Sequence, residues 1–216
     1  MNLTPAYMLN LTLFKIMEQA TLQTLLYHRF SEYEASLLNY LFNNHAVDTN
    51  LSYQEIDLTR AEKNDLILLG YEERILIPVK TTASLAWEDR IIDFDVGRTY
   101  VIPPVVRQIP VVFSKKGYFC LESLLKQILP DLVPEEVKKL FNLLDTIMTH
   151  STGFKFETGL LKLFYDKLTM QLDLHDTIDL FVINGIMSPC PQKSLITGLS
   201  WYEISPAMFW DLPGAG

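Results

Sequence analysis

Cysteine is nearly absent from this chain of 216 residues: Cys120 and Cys190 stand in different halves, with no CxxC spacing. Neither a disulfide framework nor a zinc cluster fits that pattern, and two buried, reduced thiols are expected instead. Histidine is scarce as well. His28, His45, His150 and His175 are scattered over predicted helix ends, none with a second histidine or a cysteine at ligand spacing. His175-Asp176 comes nearest to an acid–base pair, but adjacent residues on a helix point apart. No P-loop, GxGxxG, GxSxG or HExxH pattern occurs, so neither a phosphate cradle nor a familiar hydrolytic site is written here. Cys190, between two prolines and near Lys193, is the one candidate nucleophile. One flexible lysine does little to depress a thiol pKa. Glu88, Asp89, Asp93 and Asp95 read as a solvated acidic face. No enzymatic activity, metal or cofactor is expected.

Positive charge is also in short supply. Lys and Arg number 18 against 26 Asp and Glu, a formal net charge of −8. Phosphate binding is driven by clustered cations, which disfavours nucleic acid as the default partner. Long apolar runs are missing too: the stretch from Ala6 to Tyr27 is broken by Asn10, Lys15, Glu18, Gln19 and Gln23. That is too polar to span a bilayer, so no membrane role is expected. The first residues show neither a basic n-region nor an A-x-A-like cleavage site, and a cytoplasmic protein is the expectation.

Apolar residues make up 49% of the chain and charged residues 20%, enough to build a core and enough for one large domain or two of ordinary size. Thr4-Pro5 opens a predicted helix running to about Tyr27, apolar on more than one side. A face that wide is either buried in the core or used between subunits, so a homodimer through residues 6–27 is one expectation. Ser31-Glu32-Tyr33-Glu34 and Thr59-Arg60-Ala61-Glu62 both have capping-box spacing. Each opens a helix, and Leu51 to Ile56 is predicted as a short helix between them. Ile75 to Val79 and Thr99 to Ile102 read as strands, with Ala86 to Phe94 as an extra strand or short helix. Val105 to Phe113 reads as an apolar connector, and Ser114-Lys115-Lys116-Gly117 as a domain boundary. Further helices are predicted over 118–129, from Pro134, over 157–168 and over 172–182. Strands follow at Ile186 to Pro189 and Trp201 to Ser205, and Pro213 to Gly216 is predicted as a loose tail.

The stretch from Asp65 to Val106 has an echo. Shifted by 176 − 65 = 111, Asp65, Ile67, Leu69, Ile75 and Pro78 fall on Asp176, Ile178, Leu180, Ile186 and Pro189. A shift of 202 − 100 = 102 places Tyr100, Ile102 and Pro104 on Tyr202, Ile204 and Pro206. Short helices followed by strand, long connection and strand resemble the winged-helix superfamily, over roughly 31–112 and 118–212. The resemblance implies a mostly α fold with small β-hairpins (α+β). It implies an N-terminal helix (1–30) and two tandem winged-helix domains, 31–113 and 114–216.

DNA binding is the default use of that fold, and it asks for donors on the third helix and wing. Arg60, Lys63, Asn64, Lys80, Arg90 and Arg98 are the candidate nucleic-acid contacts. Against them, the matching helix of the second half carries Asp173, Asp176 and Asp179. Acidic tandem winged-helix proteins act as adaptor subunits, and this chain is similar to them in length and charge. The leading expectation is therefore a non-catalytic adaptor or regulatory subunit that holds a protein partner. A DNA-binding regulator using helix 59–70 and the first wing is the alternative. Trp87, Trp201, Phe209 and Trp210 are the candidate partner anchors, since aromatics give large contact area with a polar tip.

Overall fold

Two capping boxes organise the first half of the chain, and both form. Ser31 caps α2 (Glu32–His45) and Thr59 caps α3 (Arg60–Glu72), each side chain accepting from the backbone N–H three residues on while Glu34 or Glu62 reaches back. The computed structural model describes residues 22–79, 86–116 and 119–210. Residues 22–29 form helix α1, whose Leu26 is fully buried and whose Leu22 and Leu25 pack on the same core. The rest of the predicted N-terminal helix, Lys80 and the tail beyond Trp210 lie outside the described residues.

Between α2 and α3 runs β1 (Asn50–Ser52), and after α3 come β2 (Ile77–Pro78) and β3 (Thr99–Val101). They form an antiparallel sheet in the order β1-β3-β2, with Leu51 and Pro78 both opposite Tyr100. The second half repeats this. After α6 (Pro134–His150) come β4 (Lys155–Glu157), α7 (Thr158–Leu168), α8 (Leu174–Ile183), β5 (Met187–Pro189), α9 (Pro191–Thr197) and β6 (Trp201–Ile204). The sheet order is β4-β6-β5, with Phe156 and Pro189 opposite Tyr202. Helices α4 (Pro104–Lys116) and α5 (Leu121–Ile128) join the halves, and a 3-10 turn (Pro206–Phe209) closes the described chain. The molecule is helix-rich, with two small antiparallel sheets. One buried cluster runs from Leu26 to Trp210 and takes in residues of both halves.

Several expectations are corrected. Residues 51–56 are not a helix: Leu51 is taken into β1 opposite Tyr100, and Glu55 closes a turn by accepting from the Ser52 N–H at 2.8 Å. The connector predicted at Val105 to Phe113 is α4. Pro104 sits at its first turn, where the missing N–H costs nothing, and Val105, Val106, Ile109, Val112 and Phe113 bury one stripe despite Pro110 inside it. The boundary predicted at Ser114 is thus the end of a helix. Residues 86–98 form neither strand nor helix. Their backbone is held by tertiary bonds instead, such as the Trp87 N–H to the Ser188 hydroxyl at 2.8 Å.

Candidate functional site

The turn that leaves α3 sets the geometry between the halves. Gly70 leaves room for Leu76, whose side chain would lie 2.8 Å from any Cβ there. The Ile75 and Leu76 N–H groups return to the Gly70 carbonyl, which puts Arg74 in the left-handed region at φ 59. The same turn leaves α8: the Ile186 N–H bonds to the Phe181 carbonyl, and Gly185 has φ 73. Gly185 and Arg74 are 185 − 74 = 111 positions apart, the shift found in the sequence. An L-residue with positive φ is strained, and Arg74 makes contacts that glycine could not.

Its Nε donates to the Glu203 carboxylate of β6, its Nη1 donates to the Tyr71 carbonyl at 2.7 Å, and its guanidinium lies 4.5 Å from the Tyr71 ring centroid. Trp87 lies on its other side at 5.8 Å. Around Glu203 the contact continues. Lys155 Nζ is 3.8 Å from Glu203 and 3.6 Å from Glu88, and Glu88 also accepts from the Gln192 N–H at 2.8 Å. At the other end of the seam Trp210 donates its indole N–H to Glu73 at 2.9 Å and packs edge-on against Phe30 and Phe42. These bonds join the end of α3 and the β2–β3 connection to β5, β6 and the closing turn, so the halves meet through a hydrogen-bonded seam.

Cys190 belongs to this seam and is buried. Burial and then the Glu203 carboxylate push its thiol up to about 12. It stays protonated at neutral pH, which removes it as a nucleophile. His175 faces Asp179 at 3.2 Å on an exposed helix face rather than pairing with Asp176. Among the described residues no group of three or more His, Cys, Asp or Glu is arranged to hold a metal ion, and no helix is long and apolar enough to cross a membrane.

Among the described candidate nucleic-acid contacts, Lys63, Asn64 and Arg98 are held by partners within the chain. Arg60 is exposed at the start of α3. Lys63 donates to the Tyr53 carbonyl at 3.3 Å and lies over the Tyr53 ring, and Asn64 accepts from the Tyr53 hydroxyl at 2.9 Å. Arg98 is held by Asp93 through bonds of 2.9 and 2.7 Å. Arg90 is half-buried. Of the candidate anchors, Trp87, Phe209 and Trp210 are buried inside the chain, where Trp87 and Trp210 serve the seam. That corrects their reading as free partner contacts. Trp201 is half-buried, with Lys193 Nζ 3.7 Å above its ring and its indole N–H donating to Thr197 at 2.8 Å.

Exposed apolar side chains occur singly on several helices and loops, such as Val47, Leu163 and Ile183, and in closer groups on the two strand connections. Leu195 and Ile196 on α9 are 86% and 85% exposed, with Leu199 exposed just beyond. The β2–β3 connection likewise exposes Ile91 and Val96. Gly198, with positive φ, caps the end of α9 beside Leu195 and Ile196. The sequence signal of this tip was three large apolar residues within five positions of a turn, where polar residues are the norm.

A protein-family model spans residues 36–210. The chain belongs to that family, whose description names no function. No curated protein and no solved structure matches the chain.

Proposed function

We propose that the chain is a non-catalytic adaptor or regulatory subunit, built of two winged-helix units (31–113 and 114–216) joined by the α3–β6 seam, that holds a partner protein. Support for the winged-helix reading comes from the order helix, strand, helix, strand, strand of the first half, which the second half keeps with α7 and α9 added. It comes also from the matching sheet order and the matching left-handed turns at Arg74 and Gly185. On that reading the β2–β3 and β5–β6 connections are the wings, and α3 and α8 stand where a DNA reader would place its recognition helix.

The observation that carries the assembly role is the apolar tip of the second wing. Leu195 and Ile196 are almost fully in water while Trp87 and Trp210 of the same chain are buried. Exposed large apolar groups held side by side on a short helix favour a partner with an apolar pocket. A wing that tracks phosphates would carry free cations instead. Here Arg98 is paired with Asp93, and Lys193 is spread over Trp201. The excess of acidic residues suits a partner whose rim around that pocket is basic.

Affinity purification of the tagged chain from its native source, compared with Leu195→Glu/Ile196→Glu, tests the reading. One stoichiometric protein retained by the wild type and lost by the equally stable variant is the expected result. Binding to random duplex DNA across a salt series is the counter-test. Steep loss of affinity with salt, abolished by Arg60→Glu with Lys63→Glu, would overturn the adaptor role in favour of a DNA-binding regulator. A homodimer through residues 6–27 is a separate part of the proposal. Its described end, with Leu26 buried, packs on the chain's own core, and sedimentation showing a monomer at micromolar concentration would remove it.

A further inference from the structure

A cavity of about 400 Å³ lies between the first sheet and the second half. Ile77 and Val101 come from β2 and β3, Val182 from the end of α8, Met187 from β5, and Trp87 and Arg90 from the β2–β3 connection. Volumes in this range are typical of small-molecule sites. Among the described residues its walls are apolar apart from Arg90, and no described carboxylate lines it. Val79 and Ile183, both exposed, line it as well and open it to solvent.

Arg90 is what singles the cavity out. Its Nε and Nη1 are buried and have no hydrogen-bond partner. Desolvation pushes its pKa below the usual arginine value, against the pull of Asp89. The carboxylate that shares a neighbouring crevice with it, Asp93, is taken by Arg98 at 2.7 Å. Two guanidinium nitrogens sealed from water without an acceptor are costly, although the side chain as a whole is only half-buried. The group that satisfies it best is a carboxylate, whose two oxygens match the guanidinium fork.

We propose that this cavity binds a small amphipathic carboxylate, with its anionic head on the Arg90 guanidinium and its apolar body among Ile77, Val101, Val182 and Met187. The head would meet the first half and the body side chains of both halves, so the ligand would bridge the seam. This inference stands apart from the adaptor role, since neither Arg90 nor the cavity walls belong to the α9 tip.

Decanoate and decan-1-ol are the probes, titrated into the full chain below their aggregation concentrations and followed by calorimetry. Saturable one-to-one binding of decanoate, at least about tenfold tighter than decan-1-ol, is expected, because each tenfold step reflects one good head-group contact. Arg90→Met should erase the difference between the two probes. Val101→Phe narrows the cavity while leaving Arg90 in place, and should weaken both. Absence of saturable decanoate binding, equal affinity for the alcohol, or unchanged binding by folded Val101→Phe would overturn the proposal.

Discussion

Arg74 and Glu203, 129 positions apart, form a buried ion pair that joins the turn after α3 to the last strand of the second sheet. Neither charge has a comparable partner within its own half. Arg74 has the Tyr71 carbonyl and the Tyr71 and Trp87 rings there, and Glu203 has Lys155 at 3.8 Å. Arg74→Met should therefore leave the Glu203 carboxylate with Lys155 alone and cost up to about 3 kcal/mol of unfolding free energy, below the full cost of an unpaired buried charge. Arg74→Met/Glu203→Met should cost less than the two single losses added together, because no charge is left unpaired. Urea denaturation of the four proteins in the cycle measures this.

Gly185 and Gly198 offer a paired comparison. Both have positive φ, 73 and 71, but a Cβ at 185 would lie 2.4 Å from Pro103 Cβ, whereas one at 198 meets nothing within 4 Å. Gly198→Ala should cost about 1–2 kcal/mol from the left-handed backbone alone. Gly185→Ala should cost about 1–3 kcal/mol more, from the collision. Equal losses in thermal or chemical unfolding would show that Pro103 yields freely.

Glu73 supplies a pH dependence. Burial raises its pKa above the usual 4.5, while the Trp210 indole N–H and Arg29 pull it down by less. The folded state thus holds the proton more tightly than the unfolded chain. Its stabilising contribution is full below 4.5 and is lost as pH rises through the folded value. Glu73→Gln keeps an acceptor for Trp210 and removes the titration. Its melting temperature should exceed that of the wild type at neutral pH, with the advantage shrinking toward acid pH.

Thiol labelling should divide the two cysteines. Cys190 is buried with its pKa pushed up to about 12, while Cys120 is half-buried. At neutral pH the native chain should lose one thiol to a maleimide readily, and the second only on unfolding. Fast modification of Cys190 in the native state would mean that the α3–β6 seam opens locally.

The sequence by itself determined the local elements whose causes are local. The capping boxes at Ser31 and Thr59 start α2 and α3 because hydroxyl and carboxylate sit within three residues of the N–H groups they satisfy. The 111-residue echo carried the identical turns after α3 and α8, and the matched tyrosines carried the register of β3 and β6. Tertiary structure decided the rest. Residues 51–56 became a strand end and a turn rather than a helix because Leu51 found Tyr100, about fifty positions away. Trp87 and Trp210 became core because partners distant in sequence enclose them, Ser188 and Arg74 for one, Phe30, Phe42 and Glu73 for the other. Where a side chain ends, buried in a seam or exposed at a tip like Leu195, depends on what the fold brings against it, and no local pattern encodes that.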